Sequence, residues 1–388
     1  MKICDATQFY SEVGGGVGRY LGEKRAFVER QGVDCHLLLV PGERTQVRTE
    51  GRCTKAEVGS PLINRTSRYR VMLNLARAEE ILTREKPDLI ESGDPYHLGW
   101  RMVSVARELE IPLVGFYHSH FPEAYLRTAL KYGGPLVRDR ILDLARDYIV
   151  RLYNRFDATV VPSKPLQYLL TEWGVSNTHF LHLGVDTEVF QPEGEGGERS
   201  VVPDLDGNRF WLLYVGRLAG EKNTRTLLRA FEELERRAPG RFGFIVIGDG
   251  ALRSVLEETR ERVEAFVWKS YCSDSRDLAE WYRRADLFVH PGIYETFGLV
   301  ALESQACGCP VVGIRGSKMD DNIMEGLDIW ADVNSPTELA DAVERMRSQP
   351  LREMGRRASV KVRERYGWDA VFSRLWDLYG TLVRQSKS

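Results

Sequence analysis

Twice along this chain, apolar runs of a few residues alternate with longer amphipathic stretches, and the two series are separated by QPEGEGGERSVVPDLDGN, residues 191–208, which has neither helical nor strand periodicity. Uninterrupted apolar runs set between helical segments are the pattern of strands buried on both faces of a parallel sheet, each returned by a crossover helix. The interruption, rich in Gly, Pro and acid, reads as a linker. The chain is therefore expected to be α/β, with two Rossmann-like lobes facing each other across a cleft. Its 388 residues agree, being too many for one ordinary core.

In the first series the expected strands are Asp34–Val40, Pro87–Glu91, Ile111–Tyr117, Ala158–Pro162 and His179–His182, all forming a parallel sheet. In the second they are Phe210–Val215, Phe242–Ile247, Ala265–Val267, Leu287–His290 and Pro310–Val312, with helices such as Arg225–Arg237 and Asp277–Arg284 between them. After Ser335 the pattern turns purely helical, over Pro336–Arg347, Leu351–Arg365 and Trp368–Val383. These readings divide the chain into lobes 1–190 and 191–367, with a final helix, about 368–388, crossing back onto the first. Ligands are expected at the carboxyl ends of the strands, held from both sides.

Composition narrows the classes. Hydrophobic residues make up 43% and charged ones 28%, as in a globular protein. A net charge of -2 gives no electrostatic case for nucleic acid. Six cysteines lie scattered without a CxxC pair, which fits a reducing, cytoplasmic compartment. The start, MKICD, turns polar too soon for a signal peptide, and no apolar run approaches the roughly 20 residues of a membrane span.

The strongest chemical signal is HPGIYETFGLVALESQACGCP, residues 290–310. A strand ends in a Pro-Gly turn and a helix is expected near Phe297 and Gly298, so that the free amides around Phe297, Gly298 and Leu299 and the helix dipole form a site for a diphosphate. Glu295 stands before that helix. Glu303 lies within its apolar stretch, where an unpaired carboxylate would cost several kcal/mol. Ribose hydroxyls would serve Glu303 and sugar hydroxyls Glu295. The alternative is that Glu303 faces solvent and Glu295 caps the helix.

A second signal is LYVGRLAGEKN, residues 213–223, where a strand ends at Gly216 and Arg217 and Lys222 follow in a turn. Two cations there can converge on a departing diphosphate, or they are solvated turn charges. Gly14-Gly15-Gly16-Val17-Gly18 spells neither the dinucleotide fingerprint nor the Walker pattern, but offers backbone able to approach a phosphate or sugar closely. In Tyr117-His118-Ser119-His120 an apolar strand ends in His-x-His. Two histidines without a third ligand make a poor zinc site, and the other reading is a His projecting into the cleft.

Together these stretches, with IGDG at 247–250, LGVDTEVF at 183–190 and VPSK at 161–164, resemble the retaining glycosyltransferases of family 4, which have the GT-B fold. The most specific element is the Glu-(seven residues)-Glu spacing from Glu295 to Glu303. The resemblance implies that Arg217 and Lys222 bind a donor diphosphate, that Glu303 holds the nucleotide ribose, and that Glu295 contacts the transferred sugar. It implies a loop at Gly15 and Gly16 closing over the donor, His118 near the reacting centre, and Tyr271 near the base. His120 and Tyr125 fall in the first lobe's acceptor region. A metal is not required in such enzymes, and configuration is kept by a front-face displacement in which the departing phosphate takes the acceptor proton. The co-substrate would be GDP-mannose or a UDP-hexose.

One departure stands out. Where the family usually shows Gly-Gly-x-x-Glu, this chain reads Arg315-Gly316-Ser317-Lys318-Met319-Asp320-Asp321. The basic helical stretch from Arg127 to Arg155 resembles members that glycosylate lipids or glycans at the cytoplasmic membrane face, as peripheral membrane enzymes; it reads equally as a solvated helix with ion pairs. The competing functional readings are a nucleotide-sugar epimerase or phosphorylase, and a non-catalytic nucleotide-sugar-binding protein.

Overall fold

The computed structural model describes residues 1–8, 10, 16–63, 69–117, 135–192, 202–295, 297–317 and 319–387, the side chains of 135–138 excepted. The chain divides into two compact units, Met1–Leu183 with Trp368–Ser388, and Gly184–Gly367.

Unit 1 holds β1 (Lys2–Ala6), β2 (Cys35–Gly42), β3 (Gln46–Glu50), β4 (Cys53–Gly59), β5 (Leu89–Ser92), β6 (Leu113–Phe116), β7 (Ala158–Val161) and β8 (Thr178–Phe180). Its helices are α1 (Gly16–Gln31), α2 (Leu75–Glu85), α3 (His97–Glu108), α4 (Pro135–Tyr153), α5 (Lys164–Trp173) and, from the end of the chain, α12 (Trp368–Ser386). The sheet order is β3-β4-β2-β1-β5-β6-β7-β8. The expectation of an all-parallel sheet is corrected here: β3 pairs antiparallel with β4, Glu50 opposite Cys53, through a two-residue turn. Neither strand was legible, because QVRTE is short and mostly polar and CTKAEVG interleaves Thr, Lys and Glu with its apolar residues. An edge strand carrying Arg48 and Glu50 to solvent needs no apolar run, and its charges discourage pairing with other chains.

The helix α12 fills an aromatic seam on α1. Phe372 lies 5.7 Å from Tyr20 and 5.4 Å from Phe27 between ring centroids, and Trp376 stands edge-on to Phe27 at 5.1 Å. Beneath the seam is Lys24, 0% exposed, whose Nζ donates to Asp5 Oδ1 at 2.9 Å and to the Tyr379 hydroxyl at 2.8 Å and lies 3.1 Å from Glu91 Oε2. Tyr379 and Tyr20 in turn donate to Glu91, and His36 bonds Asp5. One ammonium cannot balance two buried carboxylates. Burial pushes the Glu91 carboxyl well above its usual range, Lys24 opposing and Asp5 adding to it.

Unit 2 is a five-stranded parallel sheet, ordered β11-β10-β9-β12-β13. The strands are β9 (Phe210–Val215), β10 (Phe242–Ile247), β11 (Phe266–Lys269), β12 (Leu287–His290) and β13 (Val311–Gly313). Around them lie α6 (Thr224–Arg237), α7 (Arg253–Arg260), α8 (Ser275–Arg284), α9 (Leu299–Ala306), α10 (Pro336–Arg347) and α11 (Leu351–Tyr366). From β9 the chain builds outward through β10 and β11, then returns to the other side of β9 with β12 and β13. Such a reversal opens a crevice at the carboxyl ends of the two central strands, because the connections leave in opposite directions. In unit 2 those strands are β9 and β12.

Candidate functional site

Two loops meet at this crevice. The first leaves β9 at Gly216 and forms a 3-10 turn at Gly220–Lys222 before α6 begins. The second leaves β12 at His290, passes Pro291 and Gly292, and reaches α9 at Leu299. The ammonium of Lys222 bonds Glu295 Oε1 across the gap between them. Residues that the sequence offered as separate motifs are thus in direct contact. The Glu295 side chain is 14% exposed and that of Lys222 is 32%. Burial alone would raise the Glu295 carboxyl, but the charge of Lys222 and its bond outweigh it and hold it below its ordinary value, with His290 adding to this only at acid pH, where its imidazole is protonated.

Behind the pair lies His290, pushed down to about 4 by burial, so its imidazole is neutral at neutral pH. The turn is tight. A Cβ added at Gly292 would lie 2.9 Å from His290 Cε1 and 3.4 Å from Glu295 Cγ, so a side chain there would drive the two apart. Arg217 does not converge with Lys222. Its guanidinium reaches Glu221 at 2.9 Å and its side chain is 60% exposed, leaving it able to swing towards an anion.

The helix α9 starts where the spacing placed it. Its cap is Gly298, at φ 78° and ψ 53°, with no side-chain capping bond, so Glu295 does not serve as the cap. A Cβ at Gly298 would stand 2.4 Å from Met319 Sδ, and Met319 is fully buried. Phe297 is buried, and its carbonyl accepts from Asn322 Nδ2 at 2.8 Å. Ala301 and Leu302 already donate to the Gly298 carbonyl, at 3.0 and 3.2 Å, so the amides that open α9 ahead of the first intrahelical bonds are those of Leu299 and Val300. Glu303, one helical turn further on, is 1% exposed, which rules out the solvent-facing alternative. The Tyr282 hydroxyl of α8 donates to its Oε2 at 3.2 Å, a partner the sequence gave no sign of because the two helices meet only in the fold.

The departing segment after β13 is self-contained. Gly316 N and Ser317 Oγ both donate to Asp320, at 2.8 and 2.9 Å, and Arg315 pairs with Asp332. Met319 uses this loop to reach the α9 cap. Tyr271 follows β11 and is 38% exposed, and Asp274 beyond it caps α8. In unit 1, Gly16 is exposed as the first residue of α1. Gly15, His118, His120 and Tyr125 lie outside the described residues, as do Lys318 and residues 193–201 of the linker. Among the described residues no three His, Cys, Asp or Glu side chains cluster as a metal would require, and no helix is long and apolar enough to cross a membrane.

Comparison with known proteins matches both halves of the chain. Residues 14–189 match the family described as Glycosyltransferase Family 4, and residues 198–365 that described as Glycosyl transferases group 1. The sulfoquinovosyl transferase SQD2 of Arabidopsis thaliana is 27% identical over 79% of this chain, which spans 59% of that relative's length. A GDP-mannose-dependent alpha-(1-6)-phosphatidylinositol dimannoside mannosyltransferase of Mycobacterium tuberculosis is 26% identical over 99% of this chain and 97% of its own. The solved structure of sucrose-phosphate synthase from Thermosynechococcus elongatus superposes with a TM-score of 0.78 at 19% identity, covering 99% of each chain. With one family region in each half and the fold of the GT-B enzymes, this chain belongs to the glycosyltransferases of family 4.

Proposed function

We propose that this protein transfers a hexose from a nucleoside-diphosphate sugar to a hydroxyl of a lipid or glycan acceptor, with retention of configuration and without a metal. Residues 191–367 would form the donor lobe, and residues 1–190 with the final helix the acceptor lobe. The observation that carries the reading is the Lys222–Glu295 pair, set at the carboxyl ends of β9 and β12 before the open amides of α9. An ammonium, an exposed guanidinium and a helix N-terminus are the groups that stabilise a diphosphate as charge gathers on it.

In this reading the donor diphosphate draws Lys222 and Arg217 to its oxygens, and Glu295, released from Lys222, accepts hydrogen bonds from the transferred sugar. Glu303 holds the ribose, its Oε2 steadied by Tyr282. The bond between the anomeric carbon and the phosphate oxygen breaks while the acceptor oxygen bonds to that carbon from the same face. The acceptor proton passes to the departing phosphate, so no protein base is needed. His118 would steady the positive charge on the sugar, Gly15 and Gly16 would close over the donor, and His120 and Tyr125 would contact the acceptor. The mycobacterial relative is named for GDP-mannose and a phosphatidylinositol glycolipid, which favours a lipid acceptor and peripheral work at the cytoplasmic membrane face.

Thermal stabilisation by a panel of nucleoside diphosphates and their sugars selects the donor, because a ligand of the native state raises its melting temperature. With that donor, Lys222→Ala should lower kcat by about 10²–10³ while leaving the fold intact, and activity should survive EDTA. Wild-type rates in the variant, or nucleotide binding with no turnover at all, would overturn the reading.

A further inference from the structure

We infer that Asn223 is a positioning residue for the Lys222–Glu295 pair, pinning the loop that carries the lysine to the turn that carries the glutamate. The inference rests on the donor-site reading above. In that reading Lys222 must leave Glu295 when a diphosphate arrives, and the ion pair then no longer joins the two loops. A second link is needed if both side chains are to stay in register.

Asn223 supplies it. Its Nδ2 donates to the Pro291 carbonyl at 2.9 Å and to Asn334 Oδ1 at 2.8 Å, and its Oδ1 accepts from Thr226 Oγ1 at 2.8 Å. The Pro291 carbonyl can only accept, and that fixes the orientation of the amide; the Thr226 hydroxyl and the Asn334 amide, each able to donate or accept, follow it. Pro291 is buried, so its carbonyl needs a donor, and it stands four residues before Glu295 in the same turn. On the other side Asn223 immediately follows Lys222, closes its 3-10 turn by donating from its backbone N to Gly220 O at 3.0 Å, and offers its own carbonyl to the first amides of α6.

The residue type is constrained twice. The backbone at Asn223 is left-handed, at φ 56° and ψ 27°, a conformation that Gly adopts freely and Asn tolerates better than most. Gly would keep the backbone and lose every side-chain bond. Asp would keep the shape and set a carboxylate oxygen against the Pro291 carbonyl, which can only accept. Asn alone combines the left-handed turn with a donor towards Pro291 and an acceptor towards Thr226.

The test is hexose transfer from UDP-glucose and GDP-mannose, with UDP and GDP binding followed by calorimetry, in Asn223→Gly, Lys222→Ala and the double variant. Asn223→Gly should lower kcat/KM for the donor roughly 10- to 100-fold, the scale set by a misplaced catalytic group. In the Lys222→Ala background the same change should cost markedly less than in the wild type, because only Glu295 is then left to be held in register. Losses that multiply in the double variant would mean a general structural role and overturn the inference. So would Asn223→Gly at wild-type rates while Lys222→Ala is impaired. Full turnover by Lys222→Ala would overturn the donor-site reading itself. Should Asn223→Gly fold poorly, Asn334→Ala removes one exposed partner and should act in the same direction, again only when Lys222 is present.

Discussion

The cap of α9 gives a prediction whose size can be worked from the structure. Gly298→Ala places a methyl on a left-handed residue, at about 1–2 kcal/mol, and puts that methyl 2.4 Å from Met319 Sδ. Met319 is fully buried, and its Cβ and Cγ also stand close, at 3.2 and 3.4 Å, so the side chain cannot clear the site by turning its end alone. Overpacking of this kind costs about 1–3 kcal/mol. The sum, roughly 2–5 kcal/mol, corresponds to a drop of about 4 to 20 °C in the melting of a unit this size. Met319→Ala separates the two contributions: it empties the space that the methyl needs, so in that background Gly298→Ala should retain only the backbone cost. Urea unfolding of the wild type, both single variants and the double variant gives the four free energies. A Gly298→Ala cost under about 1 kcal/mol, or additivity of the two changes within about 0.5 kcal/mol, would refute the argument.

Two further predictions concern buried polar groups. His290 is pushed from 6.5 down to about 4 by burial. Above pH 6.5 it is neutral folded or unfolded and contributes nothing to the pH dependence; between pH 6.5 and 4 the unfolded chain takes the proton first. Native stability should therefore fall by about 3 kcal/mol over that interval, and His290→Gln should abolish this part of the slope; parallel urea-unfolding curves for the two proteins across pH 7 to 4 would refute it. Tyr379→Phe removes the hydroxyl shared by Lys24 and Glu91 and should cost unit 1 about 1.5–3 kcal/mol, read by chemical unfolding followed through the tryptophans of α12; an unchanged midpoint would show that the buried cluster does not hold the helix.

Where the sequence was legible, one periodicity dominated. The strands of unit 2 stand within two residues of the apolar runs that announced them, because all but the half-buried edge strand β11 are buried on both faces and carry no polar alternation to blur them. The β3–β4 hairpin was lost for the opposite reason, β3 being polar and at the edge and β4 interrupted by Thr, Lys and Glu. At the site, Glu295, Glu303, Arg217 and Lys222 stood out because a carboxylate on an apolar helix and cations in a glycine turn are locally odd, but spacing left the capping and solvated readings open, and the roles came from the family resemblance. What spacing could not give was pairing. Tyr282 against Glu303, Met319 beneath Gly298 and Asn223 against Pro291 each join segments that are distant in sequence, and nothing in a single stretch marks them. Asn223 was visible as part of VGRLAGEKN, but its bonds to Pro291 and Asn334 join segments far apart in the chain and exist only in the fold.

The membership of α12 in unit 1 has a consequence for how the protein is made. Lys24 and Tyr379, which share a hydrogen bond, are 355 residues apart in the chain. At ribosomal rates of about 5–20 residues per second, α1 must wait roughly 20 to 70 s for the aromatic residues that cover it. Unit 2, whose sequence is continuous, can finish folding during that interval. The half that is synthesised first is thus the half completed last, and until then the seam of Tyr20 and Phe27 lies open to chaperones or to a neighbouring nascent chain.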